Sequence, residues 1–310
     1  MNLLDFKYLQ NNLNTLNLYG SDASIANLFL LQEKYNTWLQ IQDNILYRYY
    51  YGSESRTGYA FPIPLNNCKN AENPASTEWL KTALDFIISD SKKQNRKLSF
   101  CLITREQKIQ IEECLEKHFN KSVSWKTTRD DCDYIYLQEN LADLPGSNYQ
   151  KKRNHVSRFN RTYGPNWEYK SFPENDLTAD MLFVEQEWFK EKSGDENPVL
   201  QLEQKSIARA LENAELLRLK GGVLYINGIP AAMTLASPLS DSVMDVIYEK
   251  SYGDFERNGA YAVINQQFAK TCKGFLYLNR EEDMGVEMLR KAKLSYKPTI
   301  ILERFYGDVE

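Results

Sequence analysis

Only two histidines, His118 and His155, occur among the 310 residues, and the five cysteines (Cys68, Cys101, Cys114, Cys132 and Cys272) include no C-x-x-C pair. A zinc site draws its ligands from such clusters, so no metal is expected. Cys68, Cys101 and Cys272 lie in mixed or apolar surroundings and read as reduced, packed thiols, which points to a reducing cytoplasm. No uncharged apolar run approaches the roughly 18 residues of a membrane helix. The N-terminal MNLLDFKYLQNNLN has acid and Asn where a signal peptide needs its apolar run. No integral membrane association is expected. Excess positive charge is missing too: 38 Lys and Arg stand against 42 Asp and Glu, a net charge of −4. General nucleic-acid binding needs a broad cationic surface that displaces counterions, and is therefore disfavoured. A local basic patch for one phosphate-bearing ligand is still compatible with that balance. The chain also lacks a G-x-S-x-G elbow, an H-E-x-x-H helix, a nucleotide-binding Lys loop and a dinucleotide fingerprint.

What the chain has in quantity is aromatic: 13% of residues, including 20 Tyr. Such rings fill core and pocket walls while keeping a polar end, as in a folded enzyme or binding protein. The first half reads as helix, strands, helix, strand, helix, strand. Helices are predicted at 24–38 behind a Ser24 cap, at 77–90 and at 106–118. Strands fall at 44–51, 58–64, 98–103 and 133–137. The pattern breaks over NLADLPGS at 140–147, where Pro145-Gly146 signals a turn. This break divides the chain into 1–142 and 143–310, and the active cleft is expected in the second part. That second half reads as a basic helix at 147–162, a strand at 167–171, and helices at 179–192 and 204–219. A hairpin follows across Asn227-Gly228, then strand 243–249, helix 259–270, strand 274–278, helix 286–294 and strand 299–304. Mixed sheets flanked by helices, an α+β class, follow from this order.

Four segments carry candidate chemistry. The basic helix SNYQKKRNHVSRFNR has five Lys/Arg (Lys151, Lys152, Arg153, Arg158, Arg161), His155 and no acid. One face suits the phosphates of a coenzyme or a transfer RNA, while a solvated helix covering apolar neighbours explains the same residues. After strand 243–249, the loop SYGDFERNGAYA leads into a helix. Arg257, Asn258, Gly259 and Ala260 there approximate a pyrophosphate cradle at a helix N-terminus, or an ordinary start capped by Asn258. In NREEDMGVEMLRKAKLSYKPT, Glu282 and Asp283 are a candidate base or amine site, and Lys291 and Lys293 candidate donor contacts. Helix capping accounts for the same residues. Finally, Tyr248 and Glu249 end a strand, and a phenol and a carboxylate there supply an acid and a base for acyl transfer to an amine.

Taken together, DYIYLQENLADLPGSNYQKKRNHVSRFNRTYG and YLNREEDMGVEMLRKAKLSYKPTIILERF resemble two blocks of the phosphatidylglycerol lysyltransferase C-terminal domain family. IANLFLLQEKY and YAFPIP fit as well, so the resemblance runs across nearly the whole chain. It implies two tandem GNAT-like (acyl-CoA N-acyltransferase) domains, each a mixed sheet flanked by helices, akin to the Fem-type aminoacyltransferases. It implies transfer of an acyl or aminoacyl group, from aminoacyl-tRNA or acyl-CoA (coenzyme A), to an amine or hydroxyl acceptor. A small-molecule, lipid or peptide acceptor fits. On the family's blocks, Lys152, Arg153, Asn154, Glu282, Asp283 and the stretch from Arg290 to Lys293 become the residues to watch. A second reading is a non-catalytic binding module that keeps the fold and binds a phosphate-bearing ligand.

Overall fold

In the computed structural model, which describes residues 3–13, 18–32, 36–52, 56–66, 68–69 and 78–310, the alternating and helical patterns resolve into two seven-stranded sheets. In chain order the elements begin with helices α1 (Leu3–Asn12) and α2 (Ile25–Leu30), then strands β1 (Trp38–Gln42), β2 (Ile45–Tyr51), β3 (Thr57–Tyr59) and β4 (Ile63–Pro64). Next come α3 (Glu78–Lys93), β5 (Ser99–Ile103), α4 (Arg105–Phe119), β6 (Val123–Thr127), β7 (Asp133–Leu137), α5 (Gln138–Asp143), α6 (Gln150–Tyr163) and β8 (Trp167–Phe172). They continue with α7 (Thr178–Glu191), α8 (Pro198–Glu212), β9 (Lys220–Ile226), β10 (Ile229–Pro238) and β11 (Val243–Ser251). The last are α9 (Gly253–Arg257), α10 (Ala260–Thr271), β12 (Tyr277–Asn279), α11 (Glu287–Leu294), β13 (Ile300–Leu302) and β14 (Phe305–Val309). Both sheets are mixed and both carry helices, the α+β class read from the sequence.

The compact units are drawn differently from a cut after residue 142. One comprises Met1–Leu16, Leu31–Cys132 and Leu302–Glu310; the other comprises Asn17–Leu30 and Asp133–Ile301. The physical reason is strand pairing. β7 joins β12 and β13 in the second sheet, and β14 inserts between β5 and β6 in the first. Sequence position therefore does not set unit membership.

In the first unit the strand order is β1-β2-β3-β5-β14-β6, with β4 on β2. The β1–β2 hairpin turns through Asp43 and Asn44, both at positive φ as a tight twisted turn demands. α3 packs Leu80, Leu84 and Ile87, and α4 packs Ile111 and Leu115, with Tyr47, Tyr49, Tyr59 and Phe100 in one core. Thr104 and Gln107 close a capping box at the start of α4. The many tyrosines keep their polar ends satisfied: the Tyr59 hydroxyl donates to Asp90 (2.6 Å), which also pairs with Arg96 (2.8 Å). The Arg96 guanidinium in turn lies 4.2 Å from the Trp38 ring.

The helix expected at 24–38 is shorter. α2 ends at Leu30 and β1 starts at Trp38, while Tyr35 lies outside the described residues. α1, β1, β6, α5 and β14 are further elements that the periodicity did not reveal, each being short or only partly apolar.

In the second unit the order is β13-β7-β12-β11-β10-β9-β8. The predicted hairpin joins β9 and β10 through Asn227 (φ 51) and Gly228 (φ 77). Gly222 of β9 has no Cβ because Tyr169 of β8 crosses it: a Cβ there would sit 2.3 Å from the Tyr169 hydroxyl oxygen. α10 lays Ala260, Val263 and Ile264 against Leu224, Ile226, Ala231 and Ala232 of the hairpin, and Phe159 of α6 closes the cluster. Phe159 is fully buried and meets Tyr163 and Trp167 edge-on, with centroids 4.8 and 5.7 Å away. Among the described residues no helix is long and apolar enough to cross a membrane.

Phe159 fixes α6 on the second unit. Truncation of a buried ring costs about 3–5 kcal/mol. Phe159→Ala is therefore expected to lower stability by about that amount in urea unfolding, and Phe159→Leu to recover much of it.

Candidate functional site

The second sheet opens beside β11. β11 is nine residues long, yet β12 pairs with it in parallel only over Val243–Asp245. Beyond Asp245 the chain after β12 diverges, and Arg280, the residue following β12, reaches across the opening. Its Nη2 donates to Glu249 Oε1 at 2.9 Å, both side chains being largely enclosed. The second Glu249 oxygen accepts from Asn265 Nδ2 of α10 at 3.3 Å. Tyr136 of β7 and Tyr296 after α11 wall the group, their ring centres 5.9 and 5.0 Å from the guanidinium carbon. A second guanidinium nitrogen, Nη1, is buried without an acceptor among the described residues.

The basic helix contributes one residue to this place. Lys152 of α6 puts its ammonium 3.7 Å from the centre of the Tyr296 ring. Burial, reinforced by the positive charge of Arg280 and opposed by Glu249, brings its pKa down to about 8. Two cations thus flank one carboxylate in a half-enclosed, aromatic-walled recess. Such a recess suits an oxygen-bearing substrate that gains negative charge.

The other residues of the basic helix do different work. Arg153 donates to the carbonyls of Leu144 and Gly146 (2.6 Å for the latter) and to Gln150 Oε1, so it clasps the turn before α6. Asn154 is exposed and accepts from Gln150 Nε2 (2.8 Å). In the loop from Arg257 to Ala260 several backbone N–H groups are already engaged. Residues 253–257 are helical, and the Asn258 and Gly259 N–H groups donate to the Asp254 and Glu256 carbonyls, while that of Gly253 donates to Glu191. Arg257 pairs with Asp254 at the surface, Asn258 donates to the Tyr163 hydroxyl, and Ala260 is buried. Gly259 adopts φ 103, and a Cβ there would meet the His155 carbonyl oxygen at 2.9 Å, so close packing of α10 on α6 requires glycine.

Tyr248 and Glu249 are adjacent in sequence but not in space. Successive side chains on a strand point to opposite faces. The Tyr248 hydroxyl donates to Ser206 Oγ of α8 (2.7 Å), on the face away from Glu249 and α10. A bulge opposite Leu235 and Ala236 shifts the alternation of β11. Asp245, held by Asn27 of α2 at 3.2 Å, consequently shares a face with Tyr248.

The acidic stretch after β12 is saturated. Asp283 is fully enclosed, takes a bidentate pair from Arg290 (2.8 Å each) and accepts the Tyr134 hydroxyl and the Gly285 N–H. Burial pushes its pKa up, but these donors outweigh it and bring the pKa down to about 2. It does not cap α11, whose N-cap is Val286. Lys293 is buried and donates to the carbonyls of Arg280, Glu281 (3.0 Å) and Glu282 (2.7 Å). Through that carbonyl Glu282 belongs to the same clamp, while Lys291 is exposed and pairs with Glu287. Glu281, Asp245 and Asp133 lie together around Asn27, Ser21 and Asn279, and burial with mutual repulsion raises the pKa values of Glu281 and Asp245. Among the described residues no group of His, Cys, Asp and Glu has the arrangement of a metal site.

Of the residues gathered here, Glu249 and Lys152 were among the candidates read from the sequence, and Arg280, Asn265, Tyr136 and Tyr296 were not. Arg280 stood inside the NREED block, where adjacent acids drew attention away from it.

Comparison with known proteins bears on the same architecture. The profile of the phosphatidylglycerol lysyltransferase C-terminal family matches residues 13–306. The chain belongs to this family. A crystal structure of a conserved protein of unknown function from Bacteroides thetaiotaomicron is 31% identical, covers 100% of this chain and 98% of its own, and superposes with a TM-score of 0.85. The C-terminal domain of a putative lysylphosphatidylglycerol synthetase from Agrobacterium fabrum is similar in fold at 10% identity (TM-score 0.63; 99% and 92% covered). L-PGS from Bacillus licheniformis is similar at 13% identity (TM-score 0.59; 99% and 90% covered). Among proteins of curated function none matches the chain. Family membership makes this chain one of an acyl- or aminoacyl-transferase group.

The saturated Asp283 predicts a pH-dependent stability. Its folded pKa lies near 2 against an ordinary 3.8, so the stabilisation is present above about pH 4 and is lost as pH falls towards 2. A shift of this size corresponds to about 2 kcal/mol. Asp283→Asn is expected to lower the melting temperature by several degrees at pH 6 to 7, and the gap to the parent protein should close towards pH 2. A gap that is constant with pH would contradict this role. Arg153→Met should also lower melting temperature, through the released turn.

Proposed function

We propose that the second unit transfers an aminoacyl or acyl group to an amine or hydroxyl acceptor in the recess between β11 and the chain after β12. The observation that carries this reading is Arg280. One of its nitrogens holds Glu249, and another is buried without an acceptor beside the half-buried Lys152. A preorganised donor enclosed from water is what stabilises charge developing on a carbonyl oxygen.

In the step proposed, the acceptor nitrogen or oxygen attacks the acyl carbon and its proton passes to Glu249. The carbonyl oxygen becomes an oxyanion next to Arg280 Nη1 and the Lys152 ammonium. Collapse breaks the bond from carbon to the donor, and Lys152 gives a proton to the leaving group. The leaving group is the ribose hydroxyl of a tRNA, or the thiol of coenzyme A. Glu249 then returns its proton to Lys152 through solvent.

Of the two donors, aminoacyl-tRNA is favoured. A coenzyme pyrophosphate draws on backbone N–H groups around the α10 entry, and of these α9 and Glu191 have taken those of Gly253, Asn258 and Gly259, leaving fewer for it. The lysyl transfer in the family's description supports the same choice. Five buried free thiols support a reducing compartment.

The test is transfer of label from a pool of charged tRNA to amine and hydroxyl acceptors, with calorimetric titration of coenzyme A and acetyl-CoA alongside. Glu249→Gln should lower kcat by about 100-fold or more, since it removes the proton acceptor, with a much smaller change in KM. Saturable micromolar coenzyme A binding would overturn the donor assignment. Binding of charged tRNA with no transfer to any acceptor would favour a binding module instead.

Lys152 adds a pH signature. Its ammonium is lost above about pH 8, so the rate should fall there. Lys152→Arg should move that fall to higher pH, and Lys152→Met should lower the rate at every pH.

A further inference from the structure

Asn17–Leu30 belongs to the second unit although the rest of that unit starts at Asp133, and it meets β11 through Asn27 of α2. Asn27 Nδ2 lies 2.7 Å from Glu281 Oε1, 3.1 Å from the Ser21 carbonyl oxygen and 3.2 Å from Asp245 Oδ2. An amide nitrogen has two hydrogens, so three oxygens compete for two donors. The shortage extends to the other ends of the same groups. Asn27 Oδ1 and Asp245 Oδ1 are both buried without a hydrogen-bond partner, and Asp245 is 0% exposed. Turning the amide over would not help, since its oxygen would then face those three acceptors. Asp133 of β7 is differently placed. It takes the Ser21 N–H (2.9 Å), the Ser21 hydroxyl (3.1 Å) and Asn279 Nδ2 (3.1 Å), so its oxygens are satisfied as they stand. The cluster is one hydrogen short, and the shortage falls on Asn27 and Asp245.

We propose that Asp245 is a carboxylic acid joined to Asn27 as an acid–amide pair, and that this one proton latches Asn17–Leu30 onto β11. Asn27 Nδ2 donates to Asp245 Oδ2, and the proton on Asp245 Oδ1 donates to Asn27 Oδ1. A single hydrogen thereby gives both orphaned oxygens a partner. The alternative encloses a carboxylate with no cation to meet it. Lys293 is spent on the carbonyls of Arg280, Glu281 and Glu282, and Arg209 of α8 lies 4.3 Å from the centre of the Phe29 ring. Loss of the proton leaves two buried acceptors opposed, so the latch loosens as pH rises. The latch does not rest on the transferase reading and can be measured without turnover.

The groups facing the pair come from every side. Asp133 is on β7, Glu281 and Glu282 follow β12, Lys293 is on α11, and Tyr248, on the same face of β11, donates to Ser206. Burial raises the pKa of Asp245 well above the carboxylate range, Glu281 and Asp133 adding to the rise and the nearby Ser24 hydroxyl opposing it. Burial, with Glu282, also pushes Glu281 up to about 8, against Asn27 and Lys293. An unfolded Asp has given up its proton by pH 6, whereas the folded Asp245 keeps it. Through this group each unit of rising pH therefore weakens the folded state about tenfold, until the folded pKa is passed.

Asp245→Asn is the decisive substitution, because asparagine keeps the shape and the donor of the acid without its titration. Urea unfolding of the full chain and of this variant is compared at pH 6 and pH 8. The folding equilibrium constant of Asp245→Asn relative to the parent should rise at least tenfold between the two. Asp245→Ala, which restores neither hydrogen bond, should be less stable than Asp245→Asn at both. Hydrogen exchange of the parent, scaled to the rates of an unstructured peptide, should show the amides of residues 18–30 losing protection several-fold from pH 7 to pH 9. In Asp245→Asn that protection should hold. An Asp245→Asn chain that fails to fold, or whose stability relative to the parent is the same at both pH values, would overturn the acid–amide pair. Exchange in the parent that is unchanged from pH 7 to pH 9 would overturn the latch, whether or not the variant folds.

Discussion

A guanidinium enclosed by two tyrosine rings has to be neutralised, and Arg280 meets that requirement by bridging to Glu249 across the opening beside β11. The rest of the second unit is arranged around this pair. Asn265 takes the second carboxylate oxygen from α10, Tyr136 comes from β7, Tyr296 follows α11, and Lys152 arrives from α6. The stretch bearing Arg280 is itself pinned, since Lys293 gathers three successive carbonyls from Arg280 to Glu282. With its ends fixed in this way the guanidinium has little freedom to relax, and a donor that cannot relax is more effective towards developing charge than one that must first reorient.

The two faces of β11 divide the chemistry. Glu249 turns towards α10 and the aromatic recess; Tyr248, Lys250 and Asp245 turn towards α8, Glu203 and α2. The bulge opposite Leu235 and Ala236 makes this division possible, because it changes the alternation once along the strand. Without it Asp245 and Glu249 would share a face, and carboxylates that now lie in separate clusters would repel one another.

Much of the fold was legible because its signals are local. Asn227-Gly228 fixed a hairpin, the pattern at 106–118 a helix, and the Ile/Leu/Tyr runs the central strands. The site was legible only where a residue is unusual for its surroundings: Lys152 in a helix without acids, Glu249 at a strand end. Arg153 and Asp283 looked equally functional, yet each is consumed by neighbours that sequence does not reveal, namely two loop carbonyls and Arg290 with Tyr134. Arg280 escaped notice because its meaning depends on Glu249, thirty-one positions earlier and across a strand gap. Tyr248 and Glu249 misled as a pair, since adjacency in a strand is separation in space.

β14 lies between β5 and β6 in the first sheet, although most of the second unit, Asp133–Ile301, is translated between β6 and β14. A nascent chain that has completed β6 exposes two strand edges with no partner, at β5 and at β6, until Phe305–Val309 emerges. Such edges are templates for pairing with other chains. The first unit therefore finishes after the second on the ribosome, and removal of β14 would leave a split sheet rather than a shortened one.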